Sequence, residues 1–147
     1  MKENLSAFEK GYIAAFLDGE GSIYANRMNR GSGNKHMQTY YGVCIHNKNK
    51  EVLKWIQHRV GGNIYERKDN GVSQLQFVKL VDIYRFLSIV TPYLIVKKKL
   101  ARFMLDYVTS RINHIEDSNN KSCPLSDDEI ELIARIKHLN EIGECYN

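Results

Sequence analysis

The chain has 147 residues, of which 43% are hydrophobic and 26% charged, and this balance suits one globular domain, residues 1–147, with a core of its own. It contains no apolar run long enough to cross a bilayer and opens on no signal peptide, so no membrane partner is expected. The three cysteines form no CxxC pair, which argues against a zinc module and favours a reducing, intracellular compartment. The net charge of +4 is only a weak pointer to nucleic acid, because many soluble domains are as basic.

The first predicted element is a helix that ends in a glycine-rich acidic turn. Ser6 and Glu9 form a capping box, which predicts a helix start near Ala7, and Asp18-Gly19 predicts its end. Small residues share one face of this helix and would let another backbone approach closely: Gly11, Ala14 and Ala15.

A first hairpin is predicted after this helix. Residues 23–30 and 36–46 alternate apolar and polar side chains, which is typical of two half-buried strands, and the Gly- and Ser-rich residues 30–35 join them. Residues 47–49 break the second strand and precede a helical spacing over residues 51–60, so an asparagine here is a candidate helix cap.

A second hairpin is predicted from residues 64–68 and 72–78 around the turn at Asn70-Gly71. Helical spacing then covers residues 81–90, residues 97–115 and, after a polar loop at 117–124 and a capping box at Ser126 and Glu129, a last stretch to Gly143. The predicted order is helix, hairpin, helix, hairpin, helix, followed by extra helices, which places the chain in the α+β class.

Glu20 stands between two glycines where the first helix ends. Mg²⁺ prefers oxygen ligands, of which the Glu20 carboxylate and the Gly19 carbonyl are candidates. From spacing alone, a plain helix stop explains these residues equally well. A calcium loop is excluded, because Ile23 stands where the sharp turn requires glycine.

Residues 13–21, Ile-Ala-Ala-Phe-Leu-Asp-Gly-Glu-Gly, resemble the signature of the LAGLIDADG homing endonucleases, with Ala15 in place of glycine and Glu20 in place of aspartate. The resemblance implies an αββαββα fold in which a saddle-shaped antiparallel sheet binds DNA and helices cover its back, with extra C-terminal helices from about residue 97 onward. Two signature helices pack together in this family, so a chain with one signature is expected to be a homodimer. The interface residues implied are Gly11, Ala14, Ala15 and Asp18.

The same resemblance implies a metal-dependent endonuclease that cuts both strands of a pseudo-palindromic, double-stranded DNA target. Glu20 would be catalytic and would bind Mg²⁺ together with Gly19, and Mn²⁺ or Ca²⁺ could replace Mg²⁺ in binding. Residues 91–99 resemble the proline-to-lysine segment of the family, which implies a catalytic role for Lys97, although a solvated basic helix start is the alternative. Asn47 matches a position that orders the attacking water, and a helix cap explains it equally well.

The outward-facing strand residues are candidate DNA ligands. Arginine and amide side chains contact base edges, tyrosines contact thymine methyls or phosphates, and lysines contact the DNA backbone. The predicted DNA-binding residues are Tyr24, Asn26, Met28, Arg30, Lys35, Gln38, Tyr40, Lys48, Tyr65, Arg67, Lys68, Gln74, Gln76 and Lys99. The five histidines, His46 among them, are interpreted as structural or solvent-exposed.

Two other functions stay open from the sequence. One is an RNA-binding intron maturase that uses the same fold without cleavage, and the other is a sequence-specific DNA-binding regulator. Retention of Glu20 and Lys97 favours the nuclease. The resemblance further implies an intron-encoded protein without a small-molecule cofactor, in an organelle or in an archaeal or bacterial cytoplasm.

Overall fold

The computed structural model describes residues 3–29, 37–119 and 123–143. The four strands form one antiparallel sheet in the order β1-β2-β4-β3, and the predicted αββαββα order is confirmed. The elements are α1 (Ala7–Glu20), β1 (Gly21–Asn29), β2 (Met37–Asn47), α2 (Lys50–Val60), β3 (Asn63–Glu66), β4 (Ser73–Phe77), α3 (Leu80–Val90), a 3₁₀ turn (Thr91–Tyr93), α4 (Lys98–Ser118) and α5 (Asp127–Ile142).

The sheet has one buried face and one open face. Ile23 pairs with Val43 and Val43 with Phe77, so these side chains form a row on the same face, and none is more than 1% exposed. The Phe77 ring stacks on Phe86 of α3 with 4.1 Å between centroids and 5° between planes. Because the helices bury this face, the alternate strand residues are left on the open face.

An ion pair fixes the start of α1 against α2. The Ser6 N–H donates to the Glu9 carboxylate at 2.8 Å and the Glu9 N–H donates to the Ser6 hydroxyl at 3.1 Å, which confirms the predicted capping box. Arg59 of α2 donates its Nε–H to the second oxygen of Glu9 at 2.9 Å. Its guanidinium lies 3.7 Å from the centroid of Trp55, so it also packs on that ring. The ion pair therefore fixes the position of the start of α1 relative to α2.

The last helix covers the outer edge of the sheet. Strand β1 is an edge strand, and α5 packs along it with its buried residues Ile133, Ile136 and Leu139. Asn140 donates its side-chain N–H to the Ile23 carbonyl at 2.8 Å, which satisfies a backbone group that the sheet itself leaves unpaired.

Helices α4 and α5 are joined by a buried carboxylate, Glu129, which is 0% exposed. Its Oε1 accepts the Ser126 N–H at 2.8 Å and lies 3.2 Å from His114 Nδ1 and 3.5 Å from an Arg111 nitrogen. Burial by itself raises the pKa of Glu129. The hydrogen bonds from Ser126 and His114 and the charge of Arg111 outweigh it, so the pKa lies below its usual value.

Two predicted boundaries are wrong and one prediction is not tested. Helix α1 continues past Asp18-Gly19 to Glu20, and α4 runs to Ser118, so the polar loop predicted at 117–124 begins later. The hairpin loop predicted at 30–35, including Arg30 and Lys35, lies outside the described residues. In the described part of the chain, no helix combines the length and the apolarity needed to cross a membrane.

Candidate active site and nucleic-acid interface

The helix α1 passes into strand β1 without a loop. Glu20 is the last helical residue and Gly21 the first strand residue, and the Gly21 N–H donates to the Leu17 carbonyl. A Cβ atom at Gly21 would lie 2.6 Å from Leu17 Cδ1 and 2.9 Å from the Cys44 carbonyl oxygen, so only glycine fits between the helix and β2. The glycine after the acid therefore fixes Glu20 at the point where the helix meets the sheet.

Glu20 lines a shallow cleft with a volume of about 440 Å³. Its carboxylate is exposed and makes no ion pair with the described residues. The cleft is lined by Glu20, His46, Asn47, Lys48 and Val72. The fold thus brings the predicted catalytic residues Glu20 and Asn47 together with the predicted DNA ligand Lys48. His46 was not predicted for this site, although its outward position on β2 is the signal that indicates it.

Asn47 is not the cap of α2. The Asn49 side chain accepts the N–H groups of Glu51 and Val52 at 3.0 and 3.2 Å, so Asn49 is the helix cap. Asn47 Oδ1 instead accepts the Asn49 N–H at 2.7 Å, which fixes its side chain at the rim of the cleft. Its amide NH₂ makes no hydrogen bond to the described residues and is free to bind water or phosphate.

Asp18 holds the start of α4 against the end of α1. Its carboxylate accepts the backbone N–H groups of Ile95, Val96 and Lys97 at 2.8, 3.1 and 2.9 Å. Lys97 in turn donates its Nζ–H to the Asp18 carbonyl. The predicted catalytic Lys97 is therefore brought to the end of the helix that carries Glu20. The Asp18 side chain is engaged within its own chain, and its predicted interface contact stays a prediction.

The exposed stripe of α1 differs from the predicted one. Ala14 is 0% exposed and belongs to the core of its own chain, so its assignment to the dimer interface is wrong. Ala15 is exposed and Gly11 is half-buried. Ala14 and Ala15 have the same side chain, so their size does not show which of them packs on the sheet of their own chain. The core lies on the side of the helix that carries Ala14. The exposed stripe, spaced at i, i+4, i+7 and i+11, consists of Phe8, Tyr12, Ala15 and Gly19.

The open face of the sheet carries predicted DNA ligands in matched rows. Pairing across the strands places the following on this one face: Tyr24, Asn26, Met28, Gln38, Tyr40, Tyr65, Gln74 and Gln76. The Tyr40 hydroxyl donates to Gln38 at 3.0 Å, and the Gln76 amide donates to Gln74 at 2.7 Å. These hydrogen bonds orient three amide groups, those of Gln38, Gln74 and Gln76, before any partner binds.

Cys44 lies on the same face but is only 7% exposed. The Tyr24 ring lies across Gly42, where a Cβ atom would be 2.5 Å from the Tyr24 hydroxyl. Burial raises the pKa of the Cys44 thiol, so the thiol stays neutral at physiological pH. Burial also raises the pKa of Tyr24, and the nearby Cys44 adds to this shift.

The predicted cationic ligands occupy several positions. Lys48 and Lys68 are exposed, and Arg67, also exposed, lies 3.4 Å from the carboxylate of Asp69. Lys99 lies in the first turn of α4 and is half-buried. Their roles as DNA ligands stay predictions.

A family model of the LAGLIDADG endonuclease matches residues 13–122. The homing endonuclease I-CvuI, solved with its DNA target in the presence of Ca, superposes with a TM-score of 0.70 at 20% identity over 94% of this chain and 92% of that one. The archaeal intron-encoded I-Vdi141I, solved with DNA, gives 0.62 at 19% identity over 91% and 98%. The LAGLIDADG homing endonuclease I-LtrWI, bound to target DNA, gives 0.63 at 16% identity over 95% of this chain and 50% of that one. Among curated protein sequences, none matches this chain.

Proposed function

We propose that this chain, which belongs to the LAGLIDADG endonuclease family, is a site-specific endonuclease. It would cut both strands of a pseudo-palindromic DNA target. The observation that carries the proposal is the position of Glu20. Its exposed carboxylate lies at the junction of α1 and the sheet, in one cleft with Asn47 and Lys48. A metal-dependent nuclease needs an acidic metal ligand beside groups that bind phosphate, and this cleft holds candidates for both.

The open face of the sheet supports double-stranded DNA as the partner. The described strands present four amide side chains on this face, and such amides form paired hydrogen bonds with the edge of adenine. They belong to Asn26, Gln38, Gln74 and Gln76. None of the described open-face strand positions is an aspartate or glutamate, so no carboxylate on these strands would repel the phosphates.

A homodimer is the assembly that the exposed stripe of α1 supports. Phe8 is 72% exposed and Tyr12 40%, and both are large apolar side chains that a second copy would cover. Ala15 and Gly19 follow on the same stripe and allow two helices to approach closely. The chain also spans only half of I-LtrWI, as expected where two copies replace one longer chain. Packing α1 against α1 would bring two Glu20 carboxylates together.

The donor set of the cleft fits a hard divalent cation such as Mg²⁺. The Glu20 carboxylate is an oxygen ligand, and Gly19 contributes one of the last carbonyls of α1, which a helix leaves without an internal partner. Within the described residues, no three His, Cys, Asp or Glu side chains form a metal cluster. One chain therefore supplies part of a coordination shell, which DNA phosphate, water and the second chain would complete. When bound, the metal activates water and stabilises the developing charge.

The protein side chains would orient and stabilise this reaction. Lys97 lies at the carbonyl end of α1, where its positive charge can stabilise the charge that develops on a phosphate bound near Glu20. The amide of Asn47 faces the same cleft and can hold a water by hydrogen bonds. We assign Lys97 and Asn47 these catalytic roles. We also propose that this chain is encoded within an intron, as the similar endonuclease I-Vdi141I is.

The test is a cleavage assay with plasmids that carry the uninterrupted host gene or the same gene with the intron, each incubated with Mg²⁺. The uninterrupted gene is expected to be cut on both strands, and the interrupted gene is expected to stay intact. Glu20→Gln is expected to lower the cleavage rate about a thousandfold or more, since the metal contributes several kcal/mol of charge stabilisation. It should still bind the target in Ca²⁺.

Sedimentation of the complex formed in Ca²⁺ is expected to show two chains on one DNA duplex. Binding without cleavage by the wild-type chain would overturn the nuclease proposal. Binding of intron RNA in that case would favour the maturase, and binding of DNA alone would favour the regulator. Cleavage by Glu20→Gln at the wild-type rate would show that the acidic residue is not the metal ligand.

A further inference from the structure

We infer that His46 is a substrate-contacting residue of the cleavage site, and that its imidazole donates a hydrogen bond to a DNA backbone phosphate next to the scissile one. The inference rests on the proposed endonuclease function. It concerns a side chain that the sequence pattern had left among the structural or solvent-exposed histidines.

The register of the sheet places His46 beside Glu20. Gly21 pairs with Ile45 at the end of the antiparallel ladder; Glu20 directly precedes Gly21, and His46 directly follows Ile45. Neighbouring strands lie about 4.8 Å apart, so the residues next to this pair are close in space. Glu20 and His46 accordingly line the same open cleft, together with Lys48.

The imidazole of His46 is not engaged elsewhere in the described structure. Its two ring nitrogens each lie 3.9 Å from the Cys44 sulfur, and these are its only hydrogen-bond contacts with described residues. The side chain is partly exposed, so an N–H of the ring remains available to a ligand in the cleft.

Phosphate is the ligand that the surroundings of His46 favour. The charged groups that share its cleft are the Glu20 carboxylate and the Lys48 ammonium, and Gln74 lies directly opposite on β4. Mg²⁺ prefers oxygen ligands, so an imidazole is a poor addition to its shell. The hydrogen-bonded amides of Gln74 and Gln76 suit base edges instead. The DNA backbone must pass through the cleft if a phosphate is bound at Glu20, and an N–H donor there can bind it.

The experiment measures binding in Ca²⁺ to target duplexes in which one phosphate near the cleavage position is replaced by a neutral methylphosphonate. Wild-type protein is expected to lose about tenfold in affinity at one such position, the worth of a charge-assisted hydrogen bond. His46→Ala should bind the unmodified duplex about tenfold more weakly and lose nothing further at that position. His46→Gln keeps a donor and should retain much of the wild-type penalty.

The matched control is Gln74→Ala, which removes a polar side chain from the directly opposed position on the same face. It is expected to change base preference while keeping the wild-type methylphosphonate penalty. Melting temperatures show whether each variant is folded, and His46→Leu, which also lacks a donor, provides the answer if His46→Ala is not.

The wild-type methylphosphonate penalty at that position in folded His46→Ala or folded His46→Leu would overturn the inference. That failure differs from a failure of the proposed function. If wild-type protein cuts DNA and Glu20→Gln does not, the endonuclease stands whatever His46 does. If wild-type protein binds no DNA, the proposed function and this inference fall together.

Discussion

Replacing Asp18 by alanine removes the acceptor that holds the start of α4. Three backbone N–H groups, from Ile95, Val96 and Lys97, donate to the Asp18 carboxylate at 2.8 to 3.1 Å. The carboxylate also lies where the positive end of the α4 dipole stabilises negative charge. We therefore expect Asp18→Ala to lower the stability of the fold and to release Lys97 from the end of α1.

The size of the loss follows from the surroundings of the three donors. Ile95 and Val96 are exposed, so water can replace the lost acceptor there at little cost. The Lys97 N–H is partly buried, and hydrogen bonds to a charged group contribute about 1.5–3 kcal/mol each. We expect a loss of about 3 kcal/mol for the group. With an unfolding entropy of about 2 cal/mol/K per residue, this lowers the melting temperature by about 10 °C.

The assay is thermal unfolding followed by circular dichroism, with a cleavage assay at a temperature where both proteins are folded. Asp18→Asn keeps one acceptor oxygen and should show about half the loss. Asp106→Ala is the matched control, because Asp106 lies on the exposed side of α4 and accepts no such set of N–H groups, so its effect should stay within about 0.5 kcal/mol. A melting temperature of Asp18→Ala within about 3 °C of Asp106→Ala would refute the reasoning.

Two further predictions concern the open face and the helix junction. Gly42→Ala should push the Tyr24 ring off the strand, because the new Cβ would lie 2.5 Å from its hydroxyl, and it should weaken DNA binding more than stability. In a Tyr24→Ala background the same change should have no further effect on DNA affinity, and additive losses would contradict this account. Glu129 has a lowered pKa, so its stabilising contribution is present at neutral pH and is lost as pH falls through that lowered value. Urea unfolding between about pH 5 and 3 should show a steeper loss of stability for wild type than for Glu129→Gln, and parallel slopes would rule out the effect.

Local chemistry made much of the fold predictable. A capping box needs only side chains three residues apart, so Ser6 with Glu9 and Ser126 with Glu129 fixed two helix starts correctly. Alternation along the strands assigned the buried and open faces, because a strand has a side-chain period of two. Glu20 and Lys97, which are 77 residues apart, came from a resemblance, since no local rule brings them together.

Tertiary packing decided the points that the sequence left open or assigned wrongly. Ala14 and Ala15 are equally small, and only the position of the core shows that Ala14 faces inward. Asn47 and Asn49 have the same side chain and could cap a helix equally well. Because α2 begins at Lys50, Asn49 is the residue that caps it. His46 was interpreted as structural or solvent-exposed, and its place in the cleft with Glu20 depends on the strand register, which spacing alone does not give.

The hydrogen bond from Asn140 to Ile23 joins the last described helix to the first strand, 117 residues earlier in the chain. During synthesis β1 is made early, whereas its cover, α5, is made much later. Until α5 packs on it, the outer edge of β1 keeps N–H and C=O groups that another chain could pair with. A partly synthesised chain is thus open to strand exchange with its neighbours until α5 has folded against β1.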